Sequence, residues 1–217
     1  MEMLSIYYLQ HLVANMLKDK TVLVVGCGGL GGYVIQQLGR MNVGKLIIMD
    51  GDVFELSNMN RQLLCSTTTL GKKKAEVYGE FLKTISSAEV EVYTDRFDSS
   101  NADLVNLADV VIDCVDTVGV RKFLAEECRK RGKILIHGAV DGETGQAMIC
   151  YPDAPGLIGL YEDVDEVTHK TISFNVGLVA SLETMLAYRV LMCEDDDYKG
   201  KIILIDLPSA LIKVMDI

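Results

Sequence analysis

Thr21-Val22-Leu23-Val24-Val25-Gly26-Cys27-Gly28-Gly29-Leu30-Gly31 is the stretch on which the fold turns. Thr21–Val25 is short, apolar and rich in β-branched residues, as a buried parallel strand requires. Gly26-x-Gly28-x-x-Gly31 follows at once and leads into a helix-like run to Met41. Glycines suit a tight strand-to-helix turn, a close approach of backbone to phosphate and close helix–strand packing. The helix start offers bare N–H groups and the positive end of the helix dipole to an anion. A second buried strand, Leu46–Met49, ends at Asp50, nineteen residues beyond Gly31. That is the offset at which an acid in a Rossmann-type sheet meets a ribose hydroxyl. Gly26, Gly28, Gly29, Gly31 and Asp50 are therefore candidate nucleotide-binding residues, with NAD, FAD and ATP all open at this point.

The charges that follow discriminate among them. Asp52 lies just past the strand end, and Ser57-Asn58-Met59-Asn60-Arg61-Gln62 comes soon after. A hydride-transfer site needs a neutral pocket for the nicotinamide. A site that cleaves a triphosphate needs cations on the phosphate oxygens and carboxylates to hold a metal ion. Gly71-Lys72-Lys73-Lys74 opens a further helix, expected to run to about Ile85. Lysines there oppose the helix dipole, an arrangement that a phosphate facing Lys74 would compensate. Asp109–Asp113 reads as another buried strand, with Asp113 and Asp116 at its carboxyl end in the same layer as Asp50. Asp116 fits either an N-cap or a metal-ligand role.

Strand–helix alternation continues through Val90–Thr94, a helix containing Arg121, and Ile134–His137. His137 receives no role, since a lone histidine at a strand mouth is ordinarily packed and hydrogen-bonded. A strand at Gln146–Tyr151 precedes an acidic, irregular stretch from Pro152 to about Lys170, read as a crossover over the site. A helix at Asn175–Met192 and a closing pair of strands, Lys201–Leu207 and Ala210–Val214, complete the chain. The expected fold is α/β: a Rossmann-like, doubly wound, mostly parallel sheet with antiparallel strands added at the C-terminal side.

Taken jointly, Gly26-Cys-Gly28-Gly29-Leu-Gly31, Asp50-Gly-Asp52, Ser57-Asn58-x-Asn60-Arg61-Gln62, Gly71-Lys-Lys-Lys74 and Asp113-Cys-Val-Asp116 resemble the ThiF/MoeB/HesA family, the bacterial relatives of the ubiquitin-activating enzymes. The resemblance runs in order from about Thr21 to about Leu191. It implies an adenylyltransferase that uses ATP and Mg²⁺. Apolar residues at helical spacing over Leu4–Leu17 predict an N-terminal helix within 1–20, 152–171 is the expected crossover, and 1–217 is expected to form one domain. Arg61, Lys74 and Asp116 would be catalytic, Asp116 also holding the metal. Asp52, Asn58, Asn60 and Gln62 would join the glycines and Asp50 around the nucleotide, the three amides either hydrogen-bonding phosphate or holding Arg61. The implied partner is a small ubiquitin-like sulfur carrier ending in Gly-Gly, in thiamine or molybdopterin-type sulfur transfer, and the implied assembly is a homodimer. The family's zinc-binding CxxC pairs are missing, so no zinc site is expected. No cysteine occurs in Tyr161–Asn175, where some relatives carry one, which points to adenylation alone. Residues 1–39 contain no arginine to lend to a partner's ATP.

Composition bounds the alternatives. The 217 residues suffice for one full α/β core, and 49% of them are hydrophobic. A net charge of −10 argues against nucleic acid and anionic membranes. Six cysteines without a CxxC suggest free thiols in a cytoplasmic protein. The start, Met1-Glu-Met-Leu, has no charged segment of the secretory kind, and Glu183 and Arg189 interrupt the apolar 175–192 run. Three other readings remain at this stage: an NAD-dependent oxidoreductase, a relative that activates another carboxylate such as a peptide or a tRNA base, and a non-catalytic partner subunit.

Overall fold

In the computed structural model the described residues are 15–154, 156–161, 164 and 171–217. The expected N-terminal helix lies outside them except for its last turn at 15–17, which places Leu17 fully buried in the core. Part of the expected crossover, including 165–170, also lies outside them.

The strands are β1 (Thr21–Val25), β2 (Lys45–Met49), β3 (Glu89–Tyr93), β4 (Val110–Asp113), β5 (Ile134–Asp141), β6 (Thr144–Cys150), β7 (Lys201–Asp206) and β8 (Leu211–Asp216). The helices are α1 (Gly29–Arg40), α2 (Lys74–Ile85), α3 (Val118–Lys130), α4 (Gly156–Leu160) and α5 (Ser173–Leu191). All eight strands join one sheet in the order β3-β2-β1-β4-β5-β6-β7-β8. β3 through β5 are parallel, whereas β6, β7 and β8 pair antiparallel. The expected doubly wound sheet with an antiparallel C-terminal side is the architecture found. The stretch after Pro152 differs in one respect: it contains the short helix α4.

Strand alternation explains the two packed faces. Val22, Val24, Leu46, Ile48 and Ile112 point to one side, beneath α1, α2 and α5. Leu23, Val25, Ile47, Met49 and Val111 point to the other, beneath α3, α4 and a 3₁₀ turn at Ala102–Leu107. Strands buried on both faces read as continuous apolar runs, which is why β1, β2 and β4 stand out in the sequence. All six cysteines are free, and only Cys193 is exposed.

The chain leaves β1 for β2 and β3 on one side and returns to β4 on the other, so the strand order reverses at β1. Ligands of open α/β sheets bind in the crevice outside the strand ends at such a point. Two glycines build the turn there. Gly26 has φ +97°, and a Cβ on it would stand 2.5 Å from the Cys114 carbonyl oxygen. A Cβ on Gly31 would stand 1.8 Å from the Gly26 carbonyl oxygen. α1 can leave the strand so steeply only if both lack side chains.

Candidate active site

A cavity of about 520 Å³ lies over the carboxyl ends of β1, β2, β3 and β4, well within the size range of cofactor pockets. Gly26, Gly28 and Gly29 form part of its lining. No side chain caps α1, whose N-cap is Gly28, so the first-turn N–H groups remain available to an anion. A Cβ on Gly28 would meet only Gln62 Nε2, at 3.6 Å, so this glycine leaves open space on the ligand side. Gln62 is buried, lines the cavity, and its Oε1 has no protein partner among the described residues. Such an orphaned acceptor is costly unless a ligand or water completes it.

Asp50 and Asp52 follow β2. Asp50 accepts hydrogen bonds from the Cys27 N–H at 2.6 Å and the Asp52 N–H at 2.8 Å. Burial pushes its carboxyl above the ordinary range, against the pull of Lys74 and those two N–H groups. The loop after Asp52 runs antiparallel to the approach to α2: Val53 bridges Lys73, and the Lys74 N–H donates to the Asp52 carbonyl. This pairing brings the buried Lys74 ammonium within 3.5 Å of Asp52 Oδ2. Asp52 also receives Arg96 Nη2 at 3.0 Å. Burial opposes charge on Asp52, but Lys74 and Arg96 together outweigh it and hold the carboxyl below its usual range. Lys73 turns the other way and donates to the carbonyls of Gly51 at 2.5 Å and Thr94 at 3.4 Å, tying the ends of β2 and β3 together.

Arg61 lines the cavity beside Gly29, with Nη1 held by the Ser57 carbonyl and Asn60 Oδ1, both at 2.9 Å. Asp116 is exposed and lines the cavity at the β4 end. The N-cap of α3 is Thr117 rather than Asp116. The structure thus gathers Gly26, Gly28, Gly29, Asp50, Asp52, Arg61, Gln62, Lys74 and Asp116 around one space.

Three expected nucleotide-binding residues are placed elsewhere. Asn58 faces its own loop, its Oδ1 accepting from the Glu55 N–H at 3.1 Å in a capping box. Asn60 lies outside the lining and orients Arg61. Gly31 is packed beneath the turn, not exposed to the cavity. Asp113, expected in the ligand layer, is fully buried instead. Its Oδ2 accepts from Arg121 Nε and His137 Nδ1, both at 2.8 Å. Burial holds the His137 ring below its ordinary pKa although Asp113 pulls it upward, so it is neutral at pH 7. Its Nε2 then accepts from Gln146 Nε2 at 3.1 Å and the Tyr161 hydroxyl at 3.3 Å, while that hydroxyl accepts from Arg121 Nη1 at 3.0 Å. The group is a hydrogen-bonded network beneath the site, and its Arg121 also reaches the cavity lining. Asp95, Arg96 and Phe97, just past β3, also line the cavity. The sequence reading passed over them, although their place beyond a parallel strand end was the available signal.

The model of the ThiF family matches residues 5–217. The chain belongs to the ThiF family. Within it, the chain is 33% identical over 199 residues to the SAMP-activating enzyme E1 of Haloferax volcanii, an alignment covering 88% of this chain and 74% of that protein. It is 32% identical over 209 residues to the molybdopterin-synthase adenylyltransferase of Escherichia coli, covering 92% and 84% respectively. Among solved structures, E. coli MccB with ATP shares the ThiF-type fold with a TM-score of 0.81 at 21% identity, over 95% of this chain and 66% of that one. This ThiF-family chain is an adenylyltransferase. No described helix is long and apolar enough to cross a membrane.

Proposed function

We propose that the protein uses ATP to adenylate the C-terminal Gly-Gly carboxylate of a small ubiquitin-like sulfur carrier protein, releasing pyrophosphate, in thiamine or molybdopterin-type sulfur transfer. The observation that carries this reading is the convergence of Arg61, Lys74 and Asp116 on the glycine turn inside one cavity. Two cations and an exposed carboxylate there suit a triphosphate and leave little use for a nicotinamide. In this reading the ribose rests on Asp50 and the phosphates over Gly28 and Gly29, with the orphaned Gln62 acceptor beside them. Arg61 and Lys74 neutralise the phosphate oxygens as the carboxylate attacks the α-phosphorus and the bond to pyrophosphate breaks. The product is an acyl adenylate, and no protein nucleophile takes part. Catalysis is positioning plus stabilisation of developing charge.

The residues fit Mg²⁺ on their chemistry. The ion is held by one or two carboxylates together with phosphate oxygens and water, and Asp116 is an exposed carboxylate that lines the cavity. Among the described residues no cluster of three or more ligating side chains forms a cage for a metal on its own. When bound, the ion supplies further charge neutralisation on the phosphates. The proposed assembly is a cytoplasmic homodimer, and the relatives' names favour a sulfur carrier over a tRNA base as the acyl donor.

The test is ATP–pyrophosphate exchange with and without a small carrier protein ending in Gly-Gly. Exchange that depends on the carrier is expected. Arg61→Ala and Asp116→Ala should each lower it by roughly 10²–10³-fold without changing the melting temperature. ATP binding without carrier-dependent exchange would replace the acyl substrate. NAD binding in place of ATP would overturn the nucleotide assignment.

A further inference from the structure

We infer that Arg96 is a base-binding residue: its guanidinium covers the nucleotide's aromatic base at the carboxyl end of β3. The inference rests on the ATP reading above and specifies how the far end of that molecule is held.

The direction of the nucleotide comes from the sheet order. The glycine turn follows β1, the ribose acid Asp50 follows β2, and Arg96 follows β3. Neighbouring strands are spaced about 4.8 Å apart, so Arg96 stands roughly 10 Å from the glycine turn on the far side of the ribose acid. That is about the distance of a base from the phosphates, and the guanidinium reaches from there to Asp52, the carboxylate that also pairs with Lys74. One aromatic residue stands beside the arginine. Phe97 is buried against Phe123, with ring centroids 5.6 Å apart, and it lines the cavity next to Arg96.

Arg96 is also set in place. A Cβ on Gly51 would stand 2.6 Å from Arg96 Cγ and 3.0 Å from the Arg96 nitrogen, so the arginine stem lies directly on the Gly51 backbone. The Arg96 carbonyl accepts from Asn101 Nδ2 at 2.8 Å, which fixes the loop from behind. Asp52 tethers the guanidinium at 3.0 Å, yet the side chain is 80% exposed. A surface arginine whose stem occupies the space of a missing side chain, and whose planar head is pinned by one edge at a cavity mouth, offers its face to a flat ring. Guanidinium faces stack on aromatic systems, whereas an ammonium has no such plane.

Titration calorimetry of the whole chain with ATP and, separately, with inorganic tripolyphosphate tests this. Arg96→Ala should weaken ATP by roughly threefold to tenfold, the scale of a partly exposed cation–π contact, and leave tripolyphosphate unchanged. Arg96→Lys, which keeps the charge and loses the plane, should follow the alanine variant. The exposed side chain makes loss of the fold unexpected, and a thermal melt checks it. Equal losses for ATP and tripolyphosphate would move Arg96 to the phosphates and overturn the inference. So would an alanine variant with wild-type ATP affinity, or full rescue by lysine. A wild-type protein that binds no ATP would instead overturn the functional reading itself.

Discussion

Replacing Lys74 by methionine separates the work this residue does for the fold from the work it does for the ligand. Its ammonium stands 3.5 Å from Asp52 Oδ2, and its side chain is only 8% exposed. At an effective dielectric of about 20, two unit charges at that distance attract by roughly 5 kcal/mol. Asp52 is 45% exposed and shared with Arg96, so solvent and the second cation reduce that figure. Against it stands the cost of burying an ammonium, several kcal/mol after relaxation. The two nearly cancel, while methionine keeps the apolar stem in place. The unliganded protein should therefore change in stability by no more than about 1 kcal/mol, a shift of about 2–4 °C in a chain of this size. Binding is different, because a hydrogen bond to a charged group contributes about 1.5–3 kcal/mol. ATP affinity should fall by roughly 10- to 150-fold. Thermal melts without nucleotide and titration calorimetry with ATP measure the two quantities. A drop of more than about 8 °C would show that Lys74 is a structural residue. Unchanged ATP affinity in a normally folded variant would remove it from the ligand site.

Two further outcomes follow from the buried charges. Arg121→Met should cost about 3–5 kcal/mol, because it strands the fully buried Asp113 carboxylate; adding Asp113→Asn should recover much of the loss, read as melting temperatures around a double-mutant cycle. Glu183 is fully buried, with Cys114 Sγ at 3.8 Å and Oε2 without a partner among the described residues. Burial, with Asp113 nearby, raises its carboxyl well above the ordinary range against Arg121 and Cys114. The unfolded chain releases this proton near pH 4.3 and the folded one only at a higher pH, so the group's contribution to stability is lost as pH rises across that window. Glu183→Gln removes the titration, so the melting temperature of the variant should gain on wild type between pH 5 and pH 8. Parallel curves would refute this.

Much of the site was legible in the chain because its parts are local in sequence. A strand, a glycine turn, a helix and a strand-ending acid fall within thirty residues, and each has a backbone reason for its place. Arg61 and Lys74 could be placed because they flank loops that must start at strand ends. What could not be read was pairing between segments. Asp113 and Asp116 look alike in sequence, yet one faces α3 and the other the cavity. The difference depends on Arg121, His137 and Tyr161 converging from three separate elements. Asn58 and Asn60 sit beside Arg61 and suit either phosphate binding or support of that arginine; in the fold Asn58 shapes its own loop, while Asn60 holds Arg61 and donates to the Thr171 carbonyl. Arg96 lacked any motif, and its place follows only from the parallel register of β3 with β2.

Lys72, Lys73 and Lys74 are consecutive in sequence and chemically unlike in the fold. Lys72 is exposed, Lys73 is spent on two carbonyls, and Lys74 is buried at the cavity wall. An amine reacts with an acylating reagent only when it is accessible and free of its proton, so the three form a graded series of labelling sites. Acylation at Lys72 changes surface charge alone. At Lys73 it unties β2 from β3, and at Lys74 it removes a cation from the nucleotide's path. A modification assigned only to this tripeptide therefore carries three different meanings until it is resolved to a single side chain.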